Sequence, residues 1–186
     1  TVTVLVHVAV VANDDSTSTQ QDTPVTVSVL NNDEGDDLSV IGTGTAANGT
    51  VTTDGTTVTY TPNVGFFGTD TFTVTIEDAI GGEPTATSTV TVTVNGAPTG
   101  PDIDSGIIQV DTPVTVTVIP PVTDPEGGEL TITSAGPAGN GTVTIDGDTV
   151  TYTPAPGYTG PDSFEVTIED EDRGTAPITV TATVNA

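Results

Sequence analysis

A long internal repeat limits the possible folds of this chain more than any other feature. Residues 22–30 (DTPVTVSVL) recur almost unchanged at 111–119, and residues 48–62 (NGTVTTDGTTVTYTP) recur at 140–154. The two copies differ in length only in a polar stretch between these blocks, which marks that stretch as a loop. A repeated unit of this length corresponds to one small domain that occurs twice.

The repeat boundaries divide the chain into three parts. We predict one repeat over residues 11–96 and a second over residues 97–186. Residues 1–10 (TVTVLVHVAV) match the closing segment of a repeat, TVTVTVN at 89–95. We therefore expect them to be the terminal strand of a preceding repeat, in a chain that is a section of a longer array.

β-Branched residues alternate with threonine along most of each copy, as in VTVSV and TFTVTIED. Alternation with a period of two predicts strands with one buried face, and helical periodicity is not found. We therefore predict an all-β fold of two tandem Ig-like or cadherin-like, seven-stranded antiparallel β-sandwiches. In the first copy, strands are expected near 12–19, 24–30, 38–43, 49–53, 57–61, 70–77 and 87–95. The side chains expected in the two cores are Val25, Val27, Val29, Val58, Tyr60, Phe72, Val74, Ile76, Val90, Val92 and Val94, and then Val114, Val116, Val118, Val150, Tyr152, Phe164, Val166 and Ile168.

The charge of the chain is strongly negative. Asp and Glu total 26 against one basic residue, Arg173, which gives a formal net charge of −25. Such a chain repels phosphate backbones and anionic lipid headgroups, so we expect neither nucleic-acid binding nor membrane insertion. The absence of cysteine excludes disulfides and thiolate metal sites. Cations are the partners that this composition favours.

The order of motifs in both copies resembles a known family. The first copy reads ANDD, DTPVTVSVLNND, NGTVTTDGTTVTYTP, GFFGTDTFTVTIED and TVTVTV, and the second repeats DTPVTVTV, NGTVTIDGDTVTYTP and GYTGPDSFEVTIED. This order resembles the bacterial cadherin-like (VCBS-type) Ig-like repeats of giant surface adhesins. The resemblance implies an extracellular, cell-surface protein whose repeats are often stiffened by calcium. The acidic loop of that family commonly reads Asp-x-Asp-Gly-Asp, whereas this chain has Glu34 and Glu126 at the third position and Gly128 in place of an acid.

Topology gives the acidic residues a common location. If each repeat is traced as an up-and-down sandwich, the loops after its second, fourth and sixth strands lie at the end where the chain enters. Calcium takes about 6 to 8 oxygen ligands from carboxylates, carbonyls and water, so we predict Ca²⁺ at these ends, at the junctions between neighbouring repeats. The alternative is that the acids only solvate loop tips in a salty medium. The predicted ligands are Asp14, Asp15, Asp33, Glu34, Asp36, Asp37, Glu77 and Asp78 in repeat one, and Asp102, Asp104, Asp124, Glu126, Glu129, Glu169, Asp170 and Asp172 in repeat two.

Catalytic signals in the sequence are weak. Asp104-Ser105-Gly106 resembles the Asp-Ser-Gly sequence of aspartic proteases, but that chemistry needs two such loops, and the first copy has Ser16 at the aligned position. His7 is the only imidazole and has no evident serine or cysteine partner. We therefore predict no catalytic residues and no enzymatic activity.

Three functions are compatible with these observations. The first is a structural spacer of a large adhesin or surface fibre. The second is a subunit of an extracellular filament or S-layer, in which residues 1–8 add as a strand to a second copy of the chain. The third is a module that binds a carbohydrate or a protein, and the absence of tryptophan counts against it.

Overall fold

The structure, a computed structural model, describes residues 8–78 and 85–186. The chain separates into two compact units, Thr1–Gly96 and Ala97–Ala186, called here repeat one and repeat two. The predicted strand over residues 1–10, and the strand addition assigned to residues 1–8, lie mostly outside the described residues. Of that segment only residues 8–10 are described, and they form no strand.

Each repeat contains seven strands within its described residues. Their positions agree with the alternation of apolar residues and threonine in the sequence, because side chains of successive strand residues point to opposite faces. In repeat one they are β1 (Asp15–Gln20), β2 (Val25–Val27), β3 (Leu38–Thr43), β4 (Gly49–Thr53), β5 (Val58–Pro62), β6 (Gly68–Asp78) and β7 (Ala86–Asn95). In repeat two they are β8 (Ile103–Gln109), β9 (Val114–Thr117), β10 (Leu130–Ala135), β11 (Gly141–Asp146), β12 (Thr149–Pro154), β13 (Gly160–Asp170) and β14 (Thr175–Asn185).

The strands of each repeat form two sheets. The orders are β1-β7-β6-β3 and β2-β5-β4 in repeat one, and β8-β14-β13-β10 and β9-β12-β11 in repeat two. The first strand pairs in parallel with the last one in both repeats, and the other pairs are antiparallel. The assumed up-and-down order is therefore wrong, because the chain of repeat one passes to the other sheet after β1, β2, β3 and β5. Successive strands nevertheless alternate in direction, so the second, fourth and sixth strands still finish at the end where the chain enters.

The cores lie between the two sheets of each repeat and consist mainly of valine. Of the predicted core residues only Val25 and Val114, at the starts of β2 and β9, are half-buried, and the others are buried. Tyr60 stacks on Phe72 with ring centroids 6.0 Å apart, and the corresponding aromatic pair of repeat two has the same spacing. The prediction of two tandem Ig-like β-sandwiches is confirmed.

Candidate cation site at the entry end of each repeat

The end of each repeat where the chain enters, called here the entry end, brings the linker together with the loops after the second and fourth strands. In repeat one, Val11 and Glu34 exchange two backbone hydrogen bonds of 3.0 Å. The N–H of Val40 donates to the carbonyl of Gly55 in the β4–β5 turn at 2.8 Å. The linker, the β2–β3 loop and the β4–β5 turn therefore lie at one end of the sandwich.

Repeat two has the same arrangement at its entry end. Thr99 of the linker and Thr123 of the β9–β10 loop exchange backbone hydrogen bonds of 2.8 and 2.9 Å. The N–H of Val118 donates to the carbonyl of Asp148, in the β11–β12 turn, at 2.8 Å. Thr99 and Thr123 thus correspond to Val11 and Glu34 of repeat one. The extra residues that the second copy has relative to the first therefore lie within residues 124–129.

One predicted ligand in each linker fastens the linker to the last strand of its own repeat. The N–H of Thr89 donates to Asp14 Oδ1 at 2.7 Å, and the N–H of Thr179 donates to Asp102 Oδ1 at 2.9 Å. A carboxylate that accepts a backbone N–H makes a charge-assisted bond, which is stronger than a neutral one. Asp14 and Asp102 therefore have a structural task that does not require a metal.

Asp15 and Asp33 form the most unusual pair of carboxylates at the entry end of repeat one. Asp33 Oδ1 accepts the N–H of Asn13 at 2.7 Å. Asp15 Oδ2 and Asp33 Oδ2, in contrast, are inaccessible to solvent and have no hydrogen-bond partner. Burial raises the pKa of Asp15, and the nearby charges of Asp33 and Asp14 raise it further. Buried polar atoms are nearly always satisfied in folded proteins, so these two oxygens are exceptional within the part of the chain that the structure describes.

Further predicted ligands contribute to turns at the entry ends. Asp78 is buried and accepts the N–H of Asp36 at 2.9 Å, while Asp36 Oδ2 accepts the N–H of Val8 at 3.2 Å. Asp170 is also buried, and its Oδ1 accepts the N–H groups of Asp172 and Gly174 at 2.9 and 2.8 Å. The buried carboxylates of these turns thus accept backbone N–H donors.

Asp124 of the β9–β10 loop forms a second carboxylate pair with Glu171 of the β13–β14 turn, a residue absent from the predicted ligands. Asp124 Oδ1 accepts the N–H groups of Glu126 and Gly127 at 2.5 and 3.1 Å. Asp124 Oδ2 and Glu171 Oε1 each lie 3.0 Å from the position that a Cβ would take on Gly128. An acid at position 128, as in the family pattern, would therefore approach both carboxylates closely. Glu171 lies within the acidic run Glu169–Asp172, and this run was the sequence feature from which it could have been predicted.

The remaining predicted ligands do not assemble into a site. Asp104 accepts the N–H of Gly106 at 2.9 Å. The others are half-buried strand residues or exposed loop residues: Glu77 and Glu169, and then Glu34, Asp37, Glu126, Glu129 and Asp172. Among residues 8–78 and 85–186, no three or more acidic or histidine side chains form a group that could hold a metal ion. A cation at the entry end would therefore need backbone oxygens or water in addition to carboxylates.

Comparison with known families decides the classification of the two sandwiches. A family model described as the bacterial Ig domain matches residues 7–93 and matches residues 95–183 a second time. The chain belongs to the bacterial Ig domain family. No curated protein matches it. The described part of these two bacterial Ig domains contains no helix that is long and apolar enough to cross a membrane.

Solved structures similar to the two bacterial Ig domains include other multidomain proteins. An I-band fragment of titin is 11% identical with a TM-score of 0.45, and the match covers 97% of this chain and 66% of the fragment. The insect immune protein hemolin is 13% identical with a TM-score of 0.42, over 96% of this chain and 47% of hemolin. Extracellular cadherin domains 3–6 of protocadherin gamma B2 are 15% identical with a TM-score of 0.37, over 95% and 52%. The chain thus spans about two thirds or less of each of these structures.

Both bacterial Ig domains also contain a tyrosine–aspartate pair, at the end opposite the entry end, that the sequence analysis did not single out. The Tyr60 hydroxyl donates to Asp70 Oδ2 at 3.0 Å, and Asp70, which is 4% exposed, accepts the N–H groups of Ala47 and Asn48 at 3.2 and 2.7 Å. Burial raises the pKa of Asp70, but these donors together hold it below its usual value. The available sequence signal was an acid, present in both copies, on the same face of β6 as the core residues Phe72 and Val74.

Proposed function

We propose that the two bacterial Ig domains are non-catalytic extender repeats of a large extracellular surface protein of the cadherin-like (VCBS-type) adhesin kind. The parallel pairing of the first and last strands carries this proposal. Because β1 and β7 run in the same direction, the chain enters repeat one at one end and leaves it at the other. β8 and β14 have the same relation in repeat two. A repeat of this kind adds its own length between its neighbours, as a spacer requires.

The acid that resembles a protease residue has a structural task. Asp104 Oδ1 accepts the N–H of Gly106 at 2.9 Å and the hydroxyl of Thr181 at 3.4 Å. These bonds lie where the register between β8 and β14 shifts, between Thr181 and Thr183. The Asp104-Ser105-Gly106 sequence is thus used to build a bulge, which supports a role without catalysis.

Calcium is the cofactor in this proposal, and its proposed place is the entry end. The uncompensated oxygens of Asp15 and Asp33 fit an oxygen-seeking divalent cation, whose remaining ligands would be backbone carbonyls and water. Bound there, the ion would fix the linker against the β2–β3 loop. In an array this would restrict bending between neighbouring repeats.

Small-angle scattering tests the extender function. We would compare the present chain with a chain in which residues 11–186 occur twice in succession, each in calcium and in EDTA at equal ionic strength. The proposal expects the maximum dimension to increase nearly in proportion to the number of repeats. A longer chain that is no longer in maximum dimension would contradict it. Equal dimensions with calcium and with EDTA would remove only the stiffening by calcium.

A further inference from the structure

The sequence Asn-Gly-Thr occurs once in each repeat, at residues 48–50 and at residues 140–142. The other asparagines of the chain have no serine or threonine two positions later. An asparagine in this pattern is an acceptor for N-linked sugars if it lies at the surface of a secreted protein. Asn-Gly is also the preferred pair of a tight hairpin turn, so the backbone has to decide between the two uses.

The backbone excludes the hairpin turn. A two-residue turn formed by Asn-Gly requires a positive φ at both residues, and neither Asn140 nor Gly141 has one. The same holds in repeat one, and the hairpin between β11 and β12 instead has its positive φ at Gly147. Gly141 is required for a different reason, because a Cβ there would collide with the Tyr152 ring. The asparagine side chain therefore has no task in a turn.

The backbone of Asn140 is held firmly while its side chain is free. Its N–H donates to Asp162 Oδ2 at 2.8 Å, and its carbonyl accepts the N–H of Ala155 at 2.8 Å and the Tyr152 hydroxyl at 3.3 Å. No hydrogen bond among residues 8–78 and 85–186 uses the side-chain amide of Asn140 or the hydroxyl of Thr142. Both residues are exposed. The two groups that define the acceptor pattern are thus available to an enzyme.

The acceptor pattern of repeat two lies at an open edge of a sheet. β11 is the outer strand in the order β9-β12-β11, and in the described part of the chain it pairs with β12 alone. Asn140 immediately precedes β11, and Thr142 lies opposite Thr153 in this pair. An enzyme can therefore approach Asn140 and Thr142 from the unpaired side without separating two strands.

A groove beside Asn140 can receive the attached sugar. It has a volume of about 520 Å³, and its lining includes Asn140, Thr142, Pro154, Ala155 and Pro156. Sites for small molecules typically have volumes of about 300 to 1,000 Å³, with an apolar lining and a few polar groups. The proline and alanine side chains offer apolar surface to the C–H face of a sugar ring. The threonine hydroxyl offers a hydrogen-bonding partner to the hydroxyl groups of the sugar.

Repeat one presents the same pattern less openly. Asn48 is half-buried, whereas Asn140 is exposed. A groove of repeat one is lined by Gly49 and Thr50 but not by Asn48. The residues around the two asparagines are nearly identical, AANGTVT and AGNGTVT. A difference in reactivity between the two asparagines would therefore come from the fold and not from the local sequence.

We infer that Asn140 is an N-glycosylation acceptor for a hexose whose anomeric carbon is activated by phosphate, and that Asn48 is a much poorer one. The amide nitrogen of Asn140 forms a bond to the anomeric carbon, and the bond from that carbon to the phosphate oxygen breaks. The phosphate leaves with the bonding electrons, and one amide proton passes to a base of the enzyme. The attached sugar lies in the groove beside Pro154 and Pro156. This modification goes beyond the extender function, and neither depends on the other.

Glycosylation of the folded chain in vitro tests the inference. One arm uses a soluble N-glycosyltransferase with a nucleotide-activated hexose, and the other uses an oligosaccharyltransferase with a lipid-linked sugar. Mass spectrometry of peptides locates each sugar. Asn140 is expected to react at least about fivefold faster than Asn48, because a half-buried acceptor is reached only after local opening. The arm that labels Asn140 identifies the donor. No label on Asn140 in either arm, or equal labelling of the two asparagines, would overturn the inference.

Three single variants test the assignment of the acceptor. Asn140→Gln should lose the main sugar. Thr142→Val keeps the asparagine and the shape of the threonine, and it should lose the sugar as well, because the pattern needs the hydroxyl. Asn48→Gln is the matched control and should keep the sugar on Asn140. Spontaneous deamidation of Asn140 is told apart by its much smaller change in mass and by its independence of the enzyme. A sugar that remains on Asn140 in Thr142→Val would contradict the assignment.

Discussion

The Tyr60 hydroxyl and Asp70 Oδ2 lie 3.0 Å apart, and this hydrogen bond joins β5 of one sheet to β6 of the other. The corresponding bond of repeat two, between Tyr152 and Asp162, is 2.8 Å long. In each repeat the carboxylate also accepts backbone N–H groups from the loop before the fourth strand. In each repeat one carboxylate therefore connects both sheets and a loop.

Replacement of Asp70 by asparagine should destabilise repeat one. Asn48, Ala47 and Thr71 donate backbone N–H groups to this carboxylate. An amide would lose the charge and place an NH₂ group against these donors, at an expected cost of about 3 kcal/mol. Chemical unfolding of the chain would measure it, with the exposed Asp37→Asn as the control. A loss no larger than that of the control would show that the buried network contributes little.

A lower pH should reduce the stability of both repeats, because Asp70 and Asp162 then become protonated. The pKa values of Asp70 and Asp162 are lowered in the folded protein, because their hydrogen-bond donors outweigh burial. A carboxylate with a lowered folded pKa contributes stability that is present above its unfolded pKa, about 3.9, and is lost as the pH falls through the folded value. The free energy of unfolding of the natural chain should therefore fall more between about pH 4 and pH 2 than that of Asp70→Asn/Asp162→Asn. Parallel pH profiles would contradict the lowered pKa values.

Alkaline titration should reveal the tyrosines of the two pairs. Burial raises the pKa of Tyr60 and Tyr152 above the usual 10.0, and their hydrogen bonds to Asp70 and Asp162 raise it further. A group with a raised folded pKa stabilises the fold below its unfolded pKa, and this contribution is lost as the pH rises through the folded value. Ultraviolet absorbance should show two late-ionising tyrosines, and Asp70→Asn should shift one of them to lower pH. An unshifted titration in this variant would argue against the pair.

Alanine at Gly49 should destabilise repeat one because a methyl group has no room there. A Cβ at this position would collide with the Tyr60 ring and lie 2.7 Å from the carbonyl oxygen of Thr61. Overpacking of this kind costs about 1 to 3 kcal/mol. Gly42→Ala in β3 is the matched control, since a Cβ there would meet no atom within 4 Å. Thermal unfolding compares the two variants, and similar melting temperatures would refute the expected collision.

The sequence predicts the strands well because the two faces of each strand differ in hydrophobicity. The run Phe72, Val74 and Ile76 is buried as the alternation requires. The order of the strands within the sheets was not predictable from this pattern, because alternation fixes which face is buried and not which strand is the neighbour. The start of β1 at Asp15 was also missed, since hydrogen bonds of Val11 and Asn13 to the β2–β3 loop hold the preceding residues outside the sheet.

The candidate site was only partly accessible from the sequence. Loop convergence followed from alternating strand direction and placed Asp15 and Asp33 at one end. The sequence could not show that Asp14 and Asp102 accept backbone N–H groups, because that depends on the register of β1 and β8 against the last strand. An alignment that pairs the acidic residues of the two loops with each other also misses the structural equivalence of Asp33 with Val122. Length changes within an acidic loop allow many alignments, and the backbone bridges select one.

The parallel pairing of the first and last strands has a mechanical consequence. When repeat one is pulled at its two ends, the hydrogen bonds between β1 and β7 are loaded in shear. The pairs from Asp15 with Val90 to Gln20 with Asn95 must then yield together, because no peeling edge lets them break one after another. In repeat two the register is interrupted near Gly106, where the load divides into two shorter segments. Under tension, repeat two should therefore unfold before repeat one.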